Sequence, residues 1–130
     1  MAVVLRTSMT ILLACLCLET RADPRTVNDG VYTREQAKVG EKLYAEQCIS
    51  CHDKKYFRPV FKTWNGRSLG LLYTVMSTAM PESNPGALPR KDYVDILAYI
   101  LKLNRYKEGD SELSYEDGAL EEITIAPRQR

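Results

Sequence analysis

Histidine is almost missing from this sequence: among 130 residues there is one, His52. Any chemistry that needs a second imidazole is therefore excluded. An excess of charge is missing too, with 18 basic against 17 acidic residues, so no overall field argues for nucleic acid. Cysteine is sparse, at four residues, and no second Cys/His pair accompanies the pair at 48 and 51 to complete a structural zinc site. Strand signals are missing as well, since no run of alternating β-branched residues stands out. Nor is there a long apolar stretch. The run from Met9 to Leu18 is too short to span a bilayer.

That run has another use. "MAVVLRTSMTILLACLCL" carries one early arginine, Arg6, ahead of the apolar segment, and "ETRAD" follows. This is the pattern of a secretory signal, with cleavage expected after Ala22. Residues 1–22 are then the signal peptide and 23–130 the mature domain, in which basic and acidic residues balance. "LLAC" also resembles a lipoprotein box, which would leave a lipid anchor at Cys15. Thr7, Ser8 and Thr10 interrupt the apolar run and favour simple cleavage. Both routes export the chain, and the expected location is the periplasm.

After cleavage only Cys48 and Cys51 remain, inside "CISCH" at 48–52. Four chemistries compete for such a motif. Zinc lacks its second knuckle. A thiol–disulfide redox pair belongs to a βαβ unit, and no strand precedes Cys48. A disulfide across two residues closes a tiny loop, constrains the unfolded chain little, and leaves His52 unexplained. Covalent haem uses all three residues. Two thiols add to two vinyl groups from one helical turn, and His52 offers its imidazole to the iron.

Three helices are legible around the motif. Thr33–Gln47 has Thr33 as cap, with Gln36 expected as its capping-box partner. Gly40, Tyr44 and Cys48 share one face, and a glycine within a helix, at a cost of roughly 1 kcal/mol, signals a close approach by another element. Ser68–Ala79 has Ser68 as cap and a core row of Leu69, Leu72, Tyr73 and Met76. Pro89–Lys102 begins on proline, places Asp92 at the positive end of the helix dipole, and carries an apolar stripe from Tyr93 to Leu101. Between the last two, Pro81 pushes Met80 into extended backbone, and Asn84-Pro85-Gly86 makes a turn. The order is helix, CISCH, basic loop, helix, methionine loop, helix.

With CISCH at 48–52, the "MP…NPG" loop from Met80 and "DILAYIL" at 95–101, the chain resembles the class I monohaem cytochromes c. Its tail, "YKEGDSELSYEDGALEEITI", is similar to the extension of small cytochromes that accompany periplasmic quinoprotein dehydrogenases. The resemblance implies an all-α cytochrome c fold of three to five helices around one haem c. Its first and last helices would cross at Gly40, near the aromatic face of Tyr99, and residues from about 105 to 130 would form an acidic extension. It implies Met80 as the sixth iron ligand beside His52, and it suggests that Trp64 donates its N–H to a haem propionate. Arg67 is a candidate to pair with a propionate. The chain departs from the group at Asp53, where glycine is common. The segment after His52 is also short, with Pro59 as the candidate carbonyl for the His52 ring N–H.

Met76 is the other methionine of the mature chain, and its place in a helical row points to core packing. Axial ligation by His52 and Met80 leaves no open iron position, which points to a one-electron carrier and not an enzyme. The expected partners are a dehydrogenase donor and an oxidase or cytochrome acceptor in the respiratory chain. A peroxidase-like haem enzyme would need an open iron position and a distal acid–base group. A haem-based ligand sensor would need a displaceable sixth ligand and an output partner. Lys54, Lys55, Arg58, Lys62 and Arg67 lie between Asp53 and Gly70, whereas seven acids and no base lie between Glu108 and Glu122. The basic segment is expected to steer acidic partners towards the haem edge.

Overall fold

The computed structural model describes residues 25–129; the expected signal segment, its cleavage position and Cys15 lie outside the described residues. Four α-helices follow in order: α1 (Arg34–Gln47), α2 (Phe57–Thr63), α3 (Leu69–Ala79) and α4 (Arg90–Leu103). A short 3-10 turn covers Glu116–Gly118. Among the described residues no strand forms, and isolated bridges alone link Thr26 and Ser68 to Thr124. The expected all-α fold is the fold observed.

α1 starts at Thr33, whose hydroxyl accepts from the Gln36 N–H at 3.1 Å. The reciprocal half of the expected capping box does not form. Gln36 is only 2% exposed, and its amide turns into the core to meet polar groups that burial would otherwise strand. Its Nε2 donates to Asp95 Oδ1 at 3.1 Å and to the Leu113 carbonyl at 2.8 Å, while its Oε1 accepts from the Leu113 N–H at 2.8 Å. One side chain thus ties α1, α4 and the C-terminal segment together. Ser68 caps α3 by accepting from Leu71 N–H at 3.1 Å. α4 begins at Arg90, one residue later than expected, with Pro89 at the N-cap position.

α1 packs chiefly on α4, and the sequence marks where. A Cβ at Gly40 would lie 1.8 Å from the Asp95 carbonyl oxygen, so only glycine lets the two backbones meet. One turn on, Tyr44 meets Tyr99 edge to face with ring centroids 5.4 Å apart. Beneath the crossing, the buried Asp95 carboxylate is held by Lys91 Nζ, 2.9 Å from both oxygens, and by Gln36. A buried carboxylate is tolerated when paired and hydrogen-bonded in this way.

The segment expected as a basic loop contains α2. Its brevity, and Pro59 within it, hide the helical period, yet a proline in the first turn lacks only an N–H that would have no helical partner. Phe57 and Phe61, four residues apart, are both buried, while Arg58 and Lys62 face solvent.

The C-terminal segment alternates in the opposite sense to a solvated tail. Leu113, Leu120, Ile123 and Ile125 are buried, and the acids from Glu108 to Glu122 are exposed. It returns beside the N-terminal segment and the start of α3. Val27 N–H donates to Thr124 O at 3.0 Å, Leu69 N–H to Ile123 O at 2.7 Å, and Ile125 N–H to Arg67 O at 2.8 Å. Tyr32 and Tyr106 are tied by a 2.6 Å bond from the Tyr32 hydroxyl to the Tyr106 carbonyl.

Candidate haem site

The CISCH segment continues from α1 as a tight turn. Cys48 N–H donates to Tyr44 O at 3.0 Å, while Cys51 N–H and His52 N–H both reach Cys48 O, at 3.1 and 2.9 Å. The two cysteines and the histidine therefore sit on one turn, as their spacing implied. Tyr44 locks that turn from α1, its hydroxyl donating to the His52 carbonyl at 2.8 Å. Burial pushes the Tyr44 phenol up to about 12. It also pushes the Cys48 thiol up to about 11, so that sulfur is held as a neutral thiol. No disulfide joins Cys48 to Cys51.

These residues form one wall of a cavity of about 510 Å³, lined also by Phe57, Met76, Met80, Leu88, Tyr93, Ile96 and Ile100. That volume lies in the usual ligand-pocket range of roughly 300–1,000 Å³. Gln47, Ser50, Glu82 and Ser83, all exposed, make up its polar rim. The cavity brings Cys48, Cys51, His52 and Met80 together. Met80 has the extended backbone that Pro81 was expected to impose (φ −124°, ψ 153°), and it is 37% exposed. Met76 is buried in its core row and lines the same cavity, so two thioethers are available there.

The His52 ring touches the Tyr56 ring, with centroids 4.1 Å apart, and its buried Nδ1 has no hydrogen-bond partner among the described residues. Pro59 does not supply the expected acceptor: it lies within α2, where its carbonyl belongs to the helical ladder. An imidazole beside two thiols on one turn, in an apolar cavity with thioether sulfur, fits a metallated aromatic cofactor. Those donors suit iron held by imidazole and thioether.

Trp64 and Arg67 stand elsewhere. Neither lines the cavity; the Arg67 guanidinium lies over the Trp64 ring at 5.4 Å, next to the backbone pairing of Gly66 and Arg67 with Ile125. Two cavity residues carried only a packing signal in the sequence. Phe57 could have been found from its four-residue spacing to Phe61. Tyr93 reads as core, but its hydroxyl donates to the Met80 carbonyl at 2.6 Å.

Neither the curated proteins nor the solved structures contain a significant match to this chain. A family model described as "Cytochrome C oxidase, cbb3-type, subunit III" matches residues 35–100, just over half of the chain. The match runs from the first turn of α1 through CISCH and the Met80 loop into α4, the elements that build the cavity. The chain therefore belongs to this family of cytochrome c domains and binds haem c covalently.

Proposed function

We propose that this protein is a periplasmic one-electron carrier with His52 and Met80 as axial ligands and thioether links at Cys48 and Cys51. The observation that carries the reading is the convergence of these four side chains on one largely apolar cavity. Bound haem c supplies an iron centre that changes charge by one electron, and a His/Met ligand pair raises its potential. The polypeptide supplies the rest. Cys48 and Cys51 anchor the group, His52 offers a ring nitrogen, and α3, α4 and the Met80 loop supply apolar walls. With both axial positions closed, no site remains for a substrate, which separates a carrier from a peroxidase-like enzyme.

The tail's likeness to dehydrogenase-associated cytochromes supports a quinoprotein dehydrogenase as donor. The oxidase subunit named in the family description supports an acceptor in the respiratory chain. Export follows from the N-terminal signal pattern, with mature protein starting at Asp23. The optical spectrum of the oxidised holoprotein tests the ligands: a weak red charge-transfer band marks the iron–thioether bond, and its absence would overturn His/Met ligation. Intact-mass analysis tests processing, since a chain beginning at a lipidated Cys15 would contradict the soluble carrier.

A further inference from the structure

A second cavity, of about 470 Å³, opens where α2, the end of α4 and the C-terminal segment meet. Its floor is apolar, with the rings of Phe61 and Tyr106 5.6 Å apart. Its rim carries four cations, Arg58 and Lys62 from α2, Arg105 from the turn after α4, and Arg128 from the C-terminal segment. All four are exposed, no acid lines the cavity, and the ion pairs among the described residues use none of them. The primary sequence scatters these charges over 71 positions, between 58 and 128; the fold gathers them. It also separates Lys62 from Cys51 and His52, which line the haem cavity.

We propose that this groove is a docking site for an acidic segment of the redox partner, with an apolar side chain seated over Phe61 and Tyr106 and carboxylates facing the four cations. The inference rests on the carrier reading and names the surface through which a partner is held. A small anion fits less well. The cations stand on an open rim with none buried in the floor, and the Asn104 amide is already spent on the Ile100 carbonyl at 2.8 Å. An apolar centre within a charged, solvated rim is the anatomy of a protein interface. Its position suits electron transfer. Phe57 lines the haem cavity and Phe61 the groove, one helical turn apart and so about 6 Å along α2. A partner held here sits one helical turn from a wall of the haem cavity, and neither Cys51 nor Met80 lines the groove.

The test uses full-length holoprotein and a fluorescent synthetic peptide of glutamates flanking a central phenylalanine, titrated by anisotropy at low salt. Arg105→Glu with Arg128→Glu is expected to weaken binding about tenfold or more, while the haem spectrum stays unchanged. Arg128→Glu alone, in the terminal segment, serves if the double variant does not fold. Lys54→Glu with Lys55→Glu, outside the groove, is expected to change binding far less. Replacing the central phenylalanine by glycine should also weaken the peptide, and tripolyphosphate should compete poorly. Equal losses in both charge-reversed proteins, or equal binding of the glycine peptide, would show diffuse attraction and overturn the groove. Strong competition by tripolyphosphate would replace the partner segment by a small anion. Because the peptide carries no electrons, failure here leaves the carrier reading intact, whereas loss of the thioether band would undo His/Met ligation whatever the peptide does.

Discussion

The Tyr93 hydroxyl on α4 and the Met80 carbonyl at the end of α3 share a 2.6 Å hydrogen bond across the mouth of the methionine loop. The same carbonyl accepts from Gly86 N–H at 3.3 Å, and Leu88 N–H approaches the Tyr93 oxygen at 3.5 Å. One buried phenol therefore fixes the start of the loop and faces its end. Glycine suits the turn between them, since Gly86 sits at φ +75°.

Tyr93→Phe keeps the ring and removes this tie. A hydrogen bond of this kind contributes about 1 kcal/mol net, so Met80 should leave the iron several-fold more readily. The expected result is faster cyanide binding by the ferric protein and a lower potential, with the helical signal unchanged. Unaltered cyanide kinetics and potential would show that the loop holds Met80 without Tyr93.

Met76 and Met80 line one cavity, and their substitutions should separate. Met80→Ala should lose the red charge-transfer band and lower the potential, since its thioether is the proposed ligand. Met76→Ala should keep the band and lose stability by about 2–5 kcal/mol, because it is buried in the α3 core row. Spectra and denaturant midpoints of both variants decide the assignment. An exchange of the two phenotypes would make Met76 the ligand.

Gly40→Ala should be the most damaging small substitution in α1. The added methyl would meet the Asp95 carbonyl carbon at 2.5 Å as well as its oxygen, and both are backbone atoms that side-chain repacking cannot move. Overpacking of this sort costs ~1–3 kcal/mol or more. The control is Val39→Ala, next to Gly40 but 48% exposed, which should change little. Equal stability of the Gly40 variant would mean that the α1–α4 crossing shifts freely.

What could be read without the structure was local. Gly40 was legible because a helical glycine has few reasons to exist, Thr33 and Ser68 because capping is a short-range bond, and CISCH because its chemistry is contained in five residues. What escaped depended on distant partners. Gln36 could not announce that Asp95 and Leu113 would claim its amide from 59 and 77 residues away. Nor could the acidic tail announce which of its sparse apolar residues reach the core. α2 was masked by its brevity and by Pro59 within it. Trp64 and Arg67 had haem roles only by resemblance; here the guanidinium lies over the indole, and neither side chain is part of the cavity lining.

The last prediction follows from the tyrosines that this packing buries. Burial, followed by the nearby Glu108 charge, pushes the Tyr32 phenol up to about 12, and burial pushes Tyr44 to about 12 as well. Both hydroxyls are donors to backbone carbonyls, Tyr32 to Tyr106 O and Tyr44 to His52 O, and ionisation would destroy those bonds. In the unfolded chain the phenols ionise near their ordinary value of 10. Above that pH the unfolded state releases protons that the folded state retains, so alkali favours unfolding. Their contribution is fully present below pH 10 and is lost as pH rises through about 12. Denaturant midpoints should therefore be flat from neutral pH to about 10 and then fall. Tyrosinate absorbance for these two rings should appear only with the unfolding transition. Tyr32→Phe should lower the plateau, because the bond to Tyr106 is lost, and should make the decline shallower. Full tyrosinate absorbance near pH 10 in a protein still folded by circular dichroism would show that neither phenol is protected by its burial.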